Sequence, residues 1–374
     1  MIRAERQRRV PVGLIAAIAT GCSFGVLPAS AMADAATPIS PKSVKAKQPP
    51  RGEIRDRVLP KRPRNMARAA AVIDARGRGG EYTVTVAGKT RTVRVYLSSA
   101  FSAVTDKAEI DRRNTEWAEE FTKMEHGSEL STLTVYVSPL SEITEPSVCG
   151  KEAVSCYDPN DGSMYLVGEE LPDGTGVLQV AMHEYGHHVA TSRLNTPWDA
   201  SGWGPKYWAS AQRVCSWVRR GKMWPFDQDT HYADNPGEVW AETYRIVAAQ
   251  AQGLEPDPWE ILNPNWDPIS KPAILAAARR DVLSPWRGRV RSSWSGRLDA
   301  KTRRTVTVRV PANADGLLDT RLSTSGNLKA KLKLVPRGGS LADGRLCGAS
   351  AVDATITRRS GAGRWGFAAR YAKR

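Results

Sequence analysis

The residues best suited to chemistry lie in one short window, His183-Glu184-Tyr185-Gly186-His187. At 3.6 residues per helical turn, His183 and His187 are one turn apart, so both imidazoles project from one face. Two imidazoles at this spacing predict a zinc site, and Glu184 lies about 100° round the helix, where it can act as general base on a metal-held water. Three of the five histidines lie in this one region, with apolar residues on both sides. That concentration favours a metal site over a chance match.

A second acidic pair, Glu238 and Glu242, lies one helical turn apart and shares a face. One of the two could bind the metal while the other accepts a hydrogen bond from a ligand histidine. A local explanation competes, because Asn235, Pro236 and Glu238 at the third helical position also fit a helix N-terminal capping box. Capping accounts for Glu238 but not for Glu242, so the sequence favours the metal role.

Hydrophobic periodicity predicts the elements that must position these groups. Structure is expected to begin near Tyr82 with a β-hairpin, followed by an amphipathic helix from Thr105 to about His126. Strands at 133–137 and 163–167 and the metal helix at about 176–192 follow. Helices at 206–220 and 268–284 are then expected among many tryptophans. Those tryptophans are interpreted as the core of a helical lobe, with a cleft for apolar or glycan groups as the alternative.

Two stretches, Cys156–Leu166 and Val180–His188, resemble the exported neutral zinc metallopeptidases of the gluzincin group. The resemblance implies an α+β fold with a zincin-like catalytic domain, in which a small sheet and the active-site helix lie over a helical lower lobe. It implies that Glu238 is the third ligand and Glu242 its support, although the family more often has Asp at the second position. It also implies that an edge strand holds the substrate backbone, and this strand would be Met164, Tyr165, Leu166 and Val167. An ordinary core strand is the alternative.

The resemblance also implies a reaction. A Zn²⁺ cofactor would keep one coordination position for water, and Glu184 would take the proton of that water and pass it to the leaving amine. His231 and Tyr232 are the nearest candidates in sequence to stabilise the developing oxyanion. The expected function is a secreted zinc-dependent endopeptidase acting on polypeptides. The alternatives are an envelope-binding protein with an inert zincin body and a peptidoglycan-directed zinc amidase or peptidase.

The amino terminus predicts export. Residues 1–33 combine four arginines, an uncharged apolar run and an Ala-x-Ala cleavage site ending at Ala33, as a secretory signal does. A membrane anchor and lipidation at Cys22 are the alternatives, but proline and glycine interrupt the run, and no other stretch is long and apolar enough to span a bilayer. The protein is therefore expected outside the cell or in its envelope.

Four cysteines remain after such cleavage, an even number for an oxidising compartment. Cys149 and Cys156 bracket a short turn and are expected to pair, which would leave Cys215 to join Cys347. Three pairings are formally open.

The net charge of +15 is unevenly distributed. Residues 79–286 hold 18 Lys and Arg against 29 Asp and Glu, whereas 42–78 hold 12 against 3 and 287–374 hold 20 against 5. The basic flanks could pack on the acidic body or reach an anionic cell-envelope polymer, or the charge could only aid solubility. Nucleic acid is not expected, because no nucleic-acid-binding module is recognisable.

The same division predicts the domains. Residues 34–80 are interpreted as a basic, Pro/Ala-rich flexible leader or pro-segment, and 81–286 as the catalytic domain. Alternating strands with one basic face over 287–374 predict an all-β, sandwich-like accessory domain.

Overall fold

The structure, a computed structural model, describes residues 37–41, 55–59, 77–171, 174–256, 261–301 and 303–374. The signal sequence and Cys22 lie outside the described residues. A six-stranded mixed sheet has the order β1-β5-β6-β4-β3-β2. Its strands are β1 (Arg55–Val58), β2 (Gly77–Val86), β3 (Lys89–Ser98), β4 (Thr134–Ser138), β5 (Ala153–Asp158) and β6 (Ser163–Val167).

The predicted hairpin is confirmed as β2 and β3, which pair antiparallel from Gly77↔Ser98 to Val86↔Lys89. Ala87 and Gly88 form its turn, both at positive φ, a conformation that glycine adopts without a steric cost. Strands β3, β4 and β6 are parallel to one another, and β5 runs antiparallel to β6.

The expectation that Met164–Val167 form an edge strand is wrong. Strand β6 lies inside the sheet, bonded to β4 on one side and to β5 on the other. All five of its residues are buried. A run that is apolar on both faces is typical of a central strand, because both faces must be covered. These four residues therefore have no free backbone edge for a substrate.

Structure also begins earlier than Tyr82, inside the stretch expected to be a flexible leader. Strand β1 pairs parallel with β5. Further upstream, the Ile39 amide donates to the Gly168 carbonyl at 2.7 Å, and Ile39 packs against the main core. The three described parts of the leader, 37–41, 55–59 and 77–80, therefore all contact the body.

Eight helices occur in the described part of the chain, and the first is the predicted amphipathic helix. Its N-terminus is capped by Asp106, whose carboxylate accepts the Glu109 amide, and it buries Trp117 and Phe121 against the sheet. The helices are α1 (Lys107–Lys123), α2 (Leu140–Ile143), α3 (Val177–Thr191), α4 (Ala200–Trp203), α5 (Lys206–Gln212), α6 (Val214–Arg219), α7 (Pro236–Ala251) and α8 (Pro272–Leu283). In the described residues, no helix has both the length and the apolarity to cross a membrane.

The helix expected over 206–220 is two short helices, because Arg213 adopts a left-handed conformation at φ 62° between α5 and α6. The tryptophans largely form core, as favoured. Trp208 and Trp240 are fully buried and pack edge to face with ring centroids 5.6 Å apart.

The C-terminal region is rich in β-strands, as predicted, and forms three small sheets ordered β10-β15-β7, β11-β14-β8 and β12-β13-β9. Strands from all three sheets share one apolar core that includes Leu298, Val352 and Trp365. The strands are β7 (Val290–Leu298), β8 (Thr305–Val310), β9 (Gly316–Leu317), β10 (Asp319–Thr324), β11 (Lys329–Arg337), β12 (Ser340–Ala342), β13 (Arg345–Cys347), β14 (Ala351–Ser360) and β15 (Gly363–Tyr371). The coarse α+β class is therefore confirmed.

Both expected disulfides are present. Cys149, in the loop before β5, bonds to Cys156 within β5, and Cys215 of α6 bonds to Cys347 of β13. The second bond covalently joins the helical part of the chain to the C-terminal sheets.

A buried lysine joins the same two parts without a covalent bond. Lys206 is fully buried, and its ammonium donates to the carbonyls of Thr196 at 2.9 Å and Asp315 at 2.8 Å. Burial lowers the pKa of Lys206 to about 7. Nearby, Asp281 accepts the Trp208 amide at 2.7 Å, and burial raises the pKa of this carboxyl to about 7.

Candidate metal centre

Helices α3 and α7 cross closely enough to bring their side chains to one point. Helix α3 is buried on nearly every side. Helix α7 begins at Pro236, and the Asn235 side chain caps it by accepting the Gly237 amide at 2.9 Å. Asn235 therefore caps the helix as the sequence suggests, yet the Glu238 side chain points to the histidines of α3.

Gly186 permits this crossing. A Cβ at position 186 would lie 2.8 Å from the Ala241 Cα and 3.1 Å from the Ala241 carbonyl oxygen. The Trp240 indole N–H donates to the Gly186 carbonyl at 2.7 Å. Backbone-to-backbone contact at this point fixes the separation of the two helices, and with it the reach of Glu238.

The structure brings His183, His187 and Glu238 together as a buried group that could hold a metal ion. The Glu238 Oε2 atom lies 3.4 Å from the His183 Nε2 atom and 3.2 Å from the His187 Nε2 atom. A tetrahedral ion with bonds of about 2.0–2.1 Å holds its donor atoms roughly 3.4 Å apart. The distances from the Glu238 oxygen to the two imidazole nitrogens therefore match edges of such a tetrahedron, and all three donor atoms lie within 4.8 Å of one another.

Glu242 lies behind this group. Its Oε2 atom is 3.4 Å from the His183 Nδ1 atom, on the side of the ring away from Glu238. Burial alone would raise the pKa of Glu242, but the charge of Arg245 and hydrogen bonds from His183 and Arg245 outweigh it and lower this pKa to about 2. An ionised carboxylate here accepts the Nδ1 hydrogen bond and orients the imidazole. The Nε2 lone pair of His183 is then left to bind a metal ion.

Two further residues of this layer were not identified from the sequence. The Arg245 guanidinium binds both oxygens of Glu242, at 2.8 and 2.5 Å, and donates to the Gln179 side-chain oxygen at 2.7 Å. Arg245 follows Glu242 by three residues, so helical spacing could have revealed it. Gln179 lies one turn before His183 in α3.

Gln228 is a third residue that the sequence did not reveal. Its amide nitrogen donates to the Glu238 Oε1 atom at 2.7 Å, which fixes the carboxylate from the side opposite the histidines. Gln228 lies in an irregular loop ten residues before Glu238, and no periodicity marks it.

Glu184 is completely buried in α3, next to His183 in sequence. It is not among the three grouped donors, and its assignment as general base stays a prediction. His188 contacts another segment instead: its Nε2 atom lies 2.9 Å from the Glu129 carbonyl oxygen, and burial lowers its pKa.

His231 and Tyr232, the predicted oxyanion-stabilising residues, differ in setting. The His231 Nδ1 atom lies 2.6 Å from the Asp227 carboxylate, and its ring stacks on Trp224 at 4.0 Å. The hydrogen bond from His231 lowers the pKa of Asp227. Tyr232 instead packs against the main core. Their assignment as catalytic residues stays a prediction.

A cleft of about 990 Å³ lies beside the metal group. Gln228 and Asn235, which contact Glu238 and cap α7 respectively, form part of its lining. The rest of the lining comes from β1, the Cys149 loop, the 225–230 loop, and residues 159, 199, 201 and 202, whereas Met164–Val167 are not part of it. None of His183, His187 and Glu238 is among the lining residues, so the cleft borders the metal group only through Gln228.

Comparison with known proteins adds no family. No protein-family model matches the chain, and no curated protein or solved structure matches it. The function must therefore be argued from the site itself.

Proposed function

We propose that the protein is a secreted zinc-dependent endopeptidase related to the gluzincins, with a zincin-like catalytic body. The observation that carries this proposal is that His183 and His187 of one helix meet Glu238 of another, whose Oε2 atom lies 3.4 and 3.2 Å from their Nε2 atoms. Two imidazoles and one carboxylate are the ligand set of catalytic zinc in peptidases, where a fourth position accepts water or substrate.

The support around these ligands favours a working site. Glu242 orients His183, Arg245 neutralises Glu242, and Gln228 holds Glu238. Such partners fix ligand geometry, and their loss typically lowers metal affinity or activity by about 10- to 100-fold. A buried ionic network of this kind costs folding energy, so a chain without metal chemistry gains little from keeping it.

When bound, zinc would act as a Lewis acid that lowers the pKa of a water and polarises a carbonyl. Glu184 takes a proton from the attacking water and gives it to the leaving amine. His231 donates a hydrogen bond to the developing oxyanion, and Asp227 orients its ring through the contact at Nδ1. The two disulfides support an oxidising compartment outside the cytoplasm.

The first experiment combines metal analysis with digestion of unfolded casein. We expect about one zinc per chain and casein cleavage that falls by roughly 10²- to 10⁴-fold in Glu184→Gln, because a positioned general base contributes about that much. The variant should keep its zinc, since Glu184 is not a ligand. Glu81→Gln is the matched control, the same change at an exposed strand residue.

The outcomes separate the alternatives. If the protein is metal-free after purification with excess zinc, the proposal is refuted. Bound zinc without hydrolysis of any polypeptide would favour an inert body, and cleavage of peptidoglycan but not of casein would favour an amidase.

Binding to an anionic cell-envelope polymer is a second candidate function, favoured by β11. Along this strand Lys329, Lys331 and Lys333 are exposed and alternate with residues that pack on the C-terminal core. We expect Lys331→Glu/Lys333→Glu in the full chain to sediment less with cell walls than the parent does. Equal sedimentation would remove this candidate.

A further inference from the structure

The outer edge of strand β5 is the sheet edge that borders the cleft. Strand β5 pairs with β6 on its inner side and only with the short β1 on its outer side. Arg57, Val58 and Leu59 line the cleft together with Val148 and Gly150 of the disulfide-closed loop that precedes and enters β5. Whatever chain pairs with this edge also lies along one wall of the cleft.

The pairing of β1 with this edge is specific but slight. Arg57 pairs with Cys156 and Val58 with Tyr157, and the Leu59 amide donates to the Tyr157 carbonyl at 2.9 Å. Residues 57–59 are only partly buried, whereas Cys156 and Tyr157 are almost completely buried. A four-residue parallel strand is among the shortest and weakest pairings, so a competing chain could replace it.

The charges that line the cleft also favour a basic segment along β5. Arg57 shares the cleft lining with Asp199, Asp227 and Asp229. The lining also includes Gln228, whose amide binds the proposed ligand Glu238. An extended basic segment seated on β5 is therefore held beside acidic groups and next to the metal centre.

We propose that residues 55–59 are an internal competitor of the polypeptide substrate, occupying the β5 edge on which the substrate would otherwise pair. This inference rests on the proposed endopeptidase function. A strand edge offers one row of N–H and C=O groups, so it can pair with only one extended chain at a time. The sequence resemblance assigned substrate pairing to β6; the topology moves it one strand outward, to β5.

Tethering makes a weak segment effective. A short linker gives an effective concentration on the order of 1 mM, so an intrinsic dissociation constant near 0.1 mM would leave about a tenth of the edges open. Release of residues 55–59 should then raise the apparent affinity for substrate about tenfold.

The test uses the full chain with Leu59→Asp, which removes the contact of Leu59 with the small core around Cys149, Cys156 and Tyr165. We expect kcat/KM for an unfolded protein substrate to rise about tenfold, mainly through KM, with unchanged zinc content. Leu283→Asp is the control, because Leu283 is 56% exposed at the end of α8. Leu59→Ala is measured alongside, so that the test stands if the acidic variant does not fold.

A fluorescent peptide with the sequence of residues 53–61 separates this inference from the proposed function. It should bind Leu59→Asp and inhibit it competitively, and it should bind the parent at least tenfold more weakly. If neither protein hydrolyses a polypeptide, the proposed function fails, and this difference in peptide binding alone decides whether the β5 edge is occupied. Equal activity and equal peptide binding in the parent and both Leu59 variants would overturn the inference.

Discussion

Gly186→Ala tests whether the contact between α3 and α7 sets the metal geometry. Helix propensity alone predicts that alanine stabilises a helix interior by about 1 kcal/mol relative to glycine. The added Cβ would lie 2.8 Å from the Ala241 Cα. That is roughly 0.7 Å inside the usual separation of carbon atoms. The neighbour is backbone, so α7 must shift as a whole.

The gain in helix propensity and the cost of overpacking therefore change the free energy of unfolding in opposite directions. Overpacking a tight core costs about 1–3 kcal/mol, which exceeds the gain in propensity. A shift of about 0.7 Å at Glu238 also exceeds the roughly 0.2 Å tolerance of a metal–ligand distance. We expect Gly186→Ala to unfold at lower urea concentration than the parent and to bind zinc about 10- to 100-fold more weakly.

The assay pairs urea denaturation of the metal-free protein with competition for zinc against a chelating dye. Gly80→Ala is the control, because a Cβ at position 80 meets no atom within 4 Å. If Gly186→Ala is more stable than the parent and binds zinc equally well, the argument that this contact positions Glu238 is refuted.

Three further predictions concern the supporting structure. Glu242→Gln leaves the buried Arg245 guanidinium beside a neutral partner, so the free energy of unfolding should fall by about 3–5 kcal/mol in urea denaturation. Because the pKa of Asp281 is raised to about 7 in the folded protein, the free energy of unfolding should fall as the pH rises from about 4 to about 7. Asp281→Asn should remove up to about 1.4 kcal/mol per pH unit from this pH dependence. Replacing Cys215 and Cys347 by serine opens a cross-link between residues 132 apart, so the free energy of unfolding should fall by about 5 kcal/mol under oxidising conditions.

Each of these predictions has a control. Glu81→Gln is the control for Glu242→Gln, and Asp343→Asn is the control for Asp281→Asn, because Glu81 and Asp343 are both exposed. Serine at Cys149 and Cys156, which lie 7 residues apart, should cost only about half as much as opening the longer link. A glutamate effect as small as that of its control, an unchanged pH slope, or a larger loss from the shorter link would contradict the respective reasoning.

The sequence by itself determined the local elements and the residue types of the candidate metal group. The apolar pattern of the sequence located β6 at Ser163–Val167 with the bounds that the structure has, and helix α3 to within one residue at each end. The His183 and His187 spacing follows from helical periodicity alone, because both residues lie on one continuous element. Cysteine spacing likewise indicated both disulfides.

Only the tertiary structure decided what meets across elements. Hydrophobic periodicity does not predict the order of strands in a sheet, because a buried run such as Met164–Val167 fits a central strand as well as an edge strand. Gln228 reaches Glu238 from an irregular loop, and Arg57 joins the sheet from a stretch with little apolar pattern. These contacts form between segments that are distant in sequence. Close packing of side chains and backbone, rather than local propensity, sets the distances between such segments.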